Sequence, residues 1–437
     1  MLSREVVSLQ LGHYANYVGS HIWNLQETCF SYNPADTKIP HEFNHDIFYR
    51  EGVNARGKFT YTPRLLLLDL RGSLKSLRQD GSLHDPLPSP AKEHICWSEK
   101  VTIHKTEPEK KSLCTKSKEE EEAGPQDEDK DVCRSEQPQP SSKTSHPKLE
   151  TSVEVWSDFL RAGLHSRSVH VVQSYYHGNN EDPFDQFGFG LQVSESTDWH
   201  DGFLNHLRQY VEECDSLQAT MEAAFRHFNT VMCYDSMSRL SSAFCPLSVS
   251  ESQFESNLRQ FPHLTFLDDL RYHTSAILAA PLDSVWSGLK LKDEPLSIPE
   301  LLGHLTGCGR KVLALGSAFP LGLSTNQCIA EWNEGCCVSP LTPGVPAQIK
   351  ASDSSSVAFA VVRGLPSNAI TRAPARIENP QEALFKFVNR QCYDGLMLMR
   401  SIQNPTRTHS PFPGIFGSAV SSDGFIMLND ALRSTPG

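Results

Sequence analysis

Two short stretches carry residue types that could do chemistry. In Pro63-Arg64-Leu65-Leu66-Leu67-Leu68-Asp69-Leu70 an apolar run closes on Asp69, and Arg71 and Gly72 follow. An unbroken apolar run fits a parallel strand buried on both faces. Open α/β sheets bind ligands at the carboxyl ends of such strands, so Asp69 is either a ligand residue or a strand-end cap. The second stretch, His41-Glu42-Phe43-Asn44-His45, spells His-Glu-x-x-His. On a helix that spacing puts two imidazoles on one face as zinc ligands, with the glutamate as base. Pro40 directly before it, the weak helix former Asn44 and the lack of a third ligand downstream argue against this, and no metal site is expected. Cys336-Cys337 reads as a pair of thiols rather than a redox centre, and Tyr175-Tyr176-His177 as strand-end packing.

The elements that must position these residues follow from periodicity. Glu5-Val6-Val7-Ser8-Leu9-Gln10-Leu11 suits a buried strand, and Gly12 breaks it. Tyr14, Val18, Ile22, Leu25 and Cys29 then recur at helical spacing on one face. The chain therefore opens strand, glycine turn, helix. Residues 105–150 are nearly all charged, Pro, Ser, Gln or Thr, and cannot bury enough apolar area to offset ordering entropy, so a disordered insertion is expected there. Order resumes with a helix expected over 153–160 and a strand over 168–173. A polar, Gly-rich stretch follows from Tyr176 to Gly190. A helix is expected over 202–217, with Phe203, Leu207, Tyr210, Val211 and Cys214 on one face, running on through 219–240. Apolar runs at 276–280, 311–315 and 356–362 mark a second unit. Strands alternating with helices indicate an α/β protein.

Composition excludes several function classes. The 437-residue chain carries a formal net charge of −12, which disfavours nucleic acid as a partner because phosphate binding needs a basic face. The sequence holds no apolar run long enough for a transmembrane helix, and its start lacks the pattern of a secretory signal or a transit peptide. The 12 cysteines are scattered, with no Cys-x-x-Cys, and reduced thiols in a cytosolic setting are expected.

Four segments together resemble tubulin, and in their wording they resemble the Misato family most closely. They are residues 4–19, residues 61–70, Val211-Glu212-Glu213-Cys214-Asp215-Ser216-Leu217-Gln218, and Phe228-Asn229-Thr230. Val155-Trp156-Ser157-Asp158-Phe159-Leu160, placed after a long insertion, adds to the Misato likeness. In tubulins a glycine after the first strand and another along the first helix let backbone approach nucleotide phosphates. Gly12 and Gly19 match these two glycines, and His13 and Asn16 stand between them. The resemblance therefore implies a GTP-type site formed by Gly12, His13, Asn16, Gly19, Asp69, Gly188, Gly190 and Asn229. The alternatives are ordinary ones: helix-on-sheet packing for Gly19, a plain turn for Gly188 and Gly190, and a helix cap for Asn229.

Three departures from the tubulin pattern argue that this site is vestigial. After Gln218 the chain reads Ala219-Thr220-Met221-Glu222-Ala223-Ala224-Phe225, helical in composition and without the glycine loop that would cradle phosphates. A strand, loop and helix are expected to be missing there, which would leave a gap in the sheet. Arg71 stands where tubulins carry an acid near the metal ion. Asn257 aligns loosely with the acid that completes hydrolysis, and an amide cannot serve as a base. The chain is also expected to be a shortened form, because relatives continue beyond Ser434-Thr435-Pro436-Gly437 into C-terminal helices.

The resemblance implies a tubulin/FtsZ-like, Rossmann-related parallel sheet with flanking helices, plus a smaller second α/β domain. The expected boundaries are 1–104, 105–150 (insertion), 151–285 and 286–437. The implied function is non-enzymatic regulation of mitochondrial distribution and morphology, in the cytoplasm and by peripheral association at the mitochondrial outer membrane. Implied partners are tubulin, chaperonin or outer-surface proteins, with no cofactor. The alternative is a GTP-binding relative acting in microtubule or spindle assembly.

Overall fold

The computed structural model describes residues 5–30, 42–53, 59–71, 73–74, 153–175, 199–212, 217–223, 270–293, 296–306 and shorter stretches beyond, together with single positions such as Gly188. The expected insertion at 105–150 lies outside the described residues. In chain order the elements are β1 (Glu5–Leu11), α1 (His13–Thr28), β2 (Tyr49–Val53), β3 (Phe59–Pro63), β4 (Leu65–Arg71), β5 (Val169–Tyr175), α2 (Asn205–Glu212) and β6 (Leu217–Ala223). They continue with α3 (Leu270–Leu289), α4 (Ile298–Thr306), β7 (Gly316–Ala318), β8 (Leu321–Gly322), β9 (Val338–Pro340), β10 (Val357–Arg363), β11 (Leu396–Ile402) and β12 (Phe425–Ile426).

Four strands form the sheet that carries the site, in the order β5-β4-β1-β6, and every pair is parallel. The apolar run of β4 explains its central place. Alternate side chains go to opposite faces. Leu65 and Leu67 join Val6 of β1 in the core beneath α1, while Leu66, Leu68 and Leu70 join Val7, Val172 and Phe203 on the other face. Asp69 shares the parity of Leu65 and Leu67, so the period-2 rule aims its carboxylate at α1. Near the sheet's opposite end, Arg64 donates to buried Glu5 at 2.7 Å, linking β4 to the start of β1.

The structure corrects the reading of residues 219–225 as helix. Leu217–Ala223 is strand β6, paired along the whole of β1 from Glu5↔Leu217 to Leu11↔Ala223. Ala, Met and Glu favour helix by only tenths of a kcal/mol each. A seven-residue ladder satisfies backbone groups on the β1 edge away from β4, at about 1 kcal/mol per bond. Tertiary pairing therefore overrides composition, and the place beside β1 is filled rather than left as a gap. The helix expected over 202–217 is correspondingly shorter: a π-helical stretch at Trp199–Leu204 leads into α2, which ends at Glu212.

Residues 153–160 make only a single 3₁₀ turn, Trp156–Asp158, rather than the helix expected. Polar side chains hold the backbone in that shape. The Asp158 carboxylate accepts from the N–H groups of Glu154 (2.9 Å) and Val155 (3.0 Å). On α1, Asn24 donates to the Phe159 carbonyl and accepts from the Arg161 N–H, and the Tyr17 hydroxyl donates to the Glu154 carbonyl. This segment covers one side of α1 and α3 covers another, with Trp23 against Trp286 at 5.4 Å. Helix α1 is therefore buried on nearly every side from His13 to Gln26, not on one face alone.

Helix α3 packs on α1 and also touches the parallel pair β10–β11. The domain boundary expected at 285 falls inside this continuous helix. The metalloprotease-like pattern does not form a helix either. Phe43 makes an isolated antiparallel bridge with Leu291, and Asn44 is extended (φ −95°, ψ 109°). Only then does a 3₁₀ turn begin at His45. Glu42 is engaged with Asn404, whose Nδ2 donates to it at 3.0 Å. His41 lies outside the described residues.

Candidate functional site

The site is built where β1 turns into α1 beside the carboxyl end of β4. Gly12 makes the turn with φ 98° and ψ 165°, a region open essentially to glycine. Its N–H donates to the Leu68 carbonyl at 3.0 Å, and its carbonyl accepts from the Asn16 N–H at 3.1 Å. The same residue therefore ends the strand and starts the helix. Nothing lies within 4 Å of where a Cβ would sit, so only backbone strain opposes a side chain. Gly12→Ala is expected to destabilise the fold by about 1–3 kcal/mol, read from urea unfolding followed by circular dichroism.

The next helical turn carries His13 and Asn16 to Asp69, which is buried. Asp69 Oδ2 accepts from Asn16 Nδ2 at 2.9 Å and from the Trp156 indole Nε1 at 2.6 Å, and it contacts His13 Nδ1 at 3.3 Å. Oδ1 accepts from the Leu70 N–H at 2.7 Å. Asn16 Nδ2 also donates to the Leu68 carbonyl at 3.1 Å. A carboxylate offers about four lone-pair positions. With the His13 tautomer that carries its proton on Nδ1, three donors of this chain converge on Oδ2, whereas Oδ1 accepts one, from the Leu70 N–H, and keeps a second lone pair. Oδ2 is thus committed to holding α1 and the Trp156 turn against β4.

Trp156 is the residue that sequence reasoning missed in this role. It stood only as part of a family-like phrase. A buried tryptophan needs a partner for its indole N–H. Nothing local shows that this partner is Asp69.

The other expected site residues fall in different places. Gly19 faces the sheet: a Cβ there would meet the buried Gln10 side chain of β1 at 1.9–2.4 Å. It is a point of close helix-on-sheet approach. Gly188 is exposed, with open space around its Cα. Gly190 and Asn229 lie outside the described residues, as does the chain directly after β6. Among the described residues no group of three or more His, Cys, Asp or Glu stands together in metal-holding geometry.

Further along α1, His21 is buried against Phe159, with ring centroids 4.3 Å apart, and its Nε2 meets the Tyr272 carbonyl at 3.1 Å. Burial above all lowers its pKa from 6.5 to about 3; the Tyr272 carbonyl opposes the shift, and His273 adds to it. Between those values the unfolded chain holds a proton that the native imidazole lacks. The contribution of His21 to stability is therefore complete above pH 6.5 and declines as pH falls toward 3, at about 1.4 kcal/mol per unit. Urea unfolding repeated between about pH 7 and about pH 4 is expected to show a flatter pH dependence in His21→Gln than in the wild type.

Comparison with known proteins agrees with this architecture. A Misato Segment II tubulin-like domain model matches residues 4–120, and a tubulin domain model matches residues 146–223. Protein misato homolog 1 of Homo sapiens is 28% identical over 97% of this chain and 86% of its own length. Protein misato of Drosophila melanogaster is 26% identical over 99% of this chain and 87% of its own. Protein DML1 of Gibberella zeae is 31% identical over 49% of this chain and 38% of its own. The human alignment runs to 494 positions against a chain of 437 residues, so that relative carries internal stretches absent here.

Proposed function

We propose that this chain, which belongs to the Misato family of tubulin-like proteins, acts without GTP turnover as a regulator of mitochondrial distribution and morphology. It works in the cytoplasm and by peripheral association at the mitochondrial outer membrane, through protein partners such as tubulin, chaperonin or outer-surface proteins. The observation that carries the non-enzymatic part is the buried Asp69 carboxylate, whose Oδ2 is engaged by Asn16, Trp156 and His13 and whose Oδ1 accepts from the Leu70 N–H. Arg71 and the absence of glycine from Ala224 to Asn229, the sequence directly after β6, support it, because both remove what would hold a metal–triphosphate. Among the described residues no helix is long and apolar enough to cross a membrane. The mitochondrial role rests on the family resemblance. Depleting the protein in its own cells, with mitochondria imaged and re-expression as control, is expected to redistribute or fragment the network. An unchanged network would overturn this reading.

A GTP-binding role in microtubule or spindle assembly is the second reading. What favours it is the retained strand–Gly12–α1 frame, in which the helix N-cap carries no side-chain cap bond. Filaments that pellet with GTP and not without it would support that reading over the first.

A further inference from the structure

We infer that Cys29 is a thiol that hydroperoxides oxidise to sulfenic acid, in a pocket whose unused donors hold the added oxygen. Cys29 directly follows α1, and its N–H donates to the Gln26 carbonyl at 3.1 Å. Its half-buried side chain packs against the cluster of Phe43, Leu291 and Ile402. The sulfur donates to the Leu25 carbonyl at 3.6 Å and takes a hydrogen bond from the Arg363 guanidinium. The fully buried Lys290 ammonium is the second cation near it. Asp283 pairs with Arg363, so these two cations are matched by one buried carboxylate. A partly exposed, electropositive setting is where a cysteine reacts as a nucleophile.

Unused donors point to an oxygen at this place. Tyr49 is 3% exposed, and among the described residues its hydroxyl has no hydrogen-bond partner. Glu27, Cys29 and Asp283 are the charges that act on that hydroxyl, which places it beside the sulfur. Lys290 has three N–H donors and, among the described residues, one acceptor for them, Gln26 Oε1. Buried donors are rarely left unfilled. An oxygen on the Cys29 sulfur fills both. The step balances without a metal or a cofactor. The sulfur attacks one peroxide oxygen, and an S–O bond forms as the O–O bond breaks. The other oxygen leaves with the thiol proton, as water from hydrogen peroxide or as an alcohol from an organic hydroperoxide. Sulfur is oxidised and the peroxide is reduced. The pocket stands apart from Asp69, so this inference holds or fails independently of the state of the nucleotide-type site.

The test treats the full, reduced chain with hydrogen peroxide in the presence of dimedone, which traps sulfenic acids, and follows each of the 12 cysteines by peptide mass spectrometry. The same chain unfolded in urea is the control, because there every thiol has only its intrinsic reactivity. The Cys29 adduct is expected to form about tenfold or more faster in the folded chain than in the unfolded one. Tyr49→Phe keeps the ring and removes only the hydroxyl. It is expected to lower the Cys29 adduct by roughly threefold or more while the thermal melt and the labelling of the other cysteines stay as in the wild type. A Cys29 adduct that forms no faster in the folded chain would overturn the inference, whether or not the variant folds. So would equal Cys29 labelling in a folded Tyr49→Phe chain and the wild type, which would mean that the pocket's donors do not hold the oxygen.

Discussion

Asp69→Ala is expected to cost about 4 kcal/mol or more of folding stability. The substitution strips the partner from the Trp156 indole N–H, the Leu70 N–H and the His13 ring, all in a buried setting. Each orphaned buried donor costs about 1–3 kcal/mol. Asn16 keeps an acceptor, the Leu68 carbonyl. Trp156→Phe removes one donor and keeps the ring's packing, so a smaller loss of about 1–2 kcal/mol is expected. Urea unfolding followed by far-ultraviolet circular dichroism reads both. The ranking separates two views of Asp69. A carboxylate held ready for an external ligand would be dispensable for folding, and its removal would leave the midpoint in place.

The second large effect belongs to the polar cluster that ties α1, α3 and β10 together. Asp283 is fully buried and pairs with Arg363; it also accepts from Gln26, whose own oxygen accepts from Lys290. Lys290 is buried too, with its ammonium 4.5 Å from the Phe43 ring centroid. Its pKa is lowered, chiefly by burial, with Asp283 among the groups opposing the shift. Asp283→Ala leaves two buried cations without their carboxylate and is expected to cost about 3–5 kcal/mol. Asp283→Leu combined with Arg363→Met removes both charges of the pair and is expected to recover most of that loss. Denaturant titration of the single and double variants checks the order. Equal losses in the two would mean that packing, not charge, dominates here.

How much of this was legible in the sequence differs from residue to residue. The bounds of β1 coincide with the run Glu5–Leu11, and β4 with the leucine run, because both signals are local. Gly12 was legible for the same reason: a glycine that stops a strand directly before helical spacing has little else to be. The family resemblance also lay in local phrases, and its match extends over nearly the whole chain. What the sequence hid was set by distant partners. β6 is a strand because β1, some two hundred positions earlier, needs an edge partner. Trp156 meets a carboxylate that is 87 positions away, and Arg363 meets one 80 positions away. No spacing rule reaches across such gaps. Gly19 shows the same limit in reverse. Its place in a motif pointed to phosphate, while its surroundings are the side chain of Gln10.

The central claim is that the chain keeps the strand–glycine–helix frame of a tubulin-type site while its own residues take the place of a ligand at Asp69. Calorimetric titration of the purified full-length chain with GTP in the presence of Mg²⁺ tests it most directly. The internally engaged carboxylate, Arg71 and the lack of glycine directly after β6 predict no Mg²⁺-dependent heat of binding. A sub-micromolar affinity that disappears when Mg²⁺ is chelated would contradict the account.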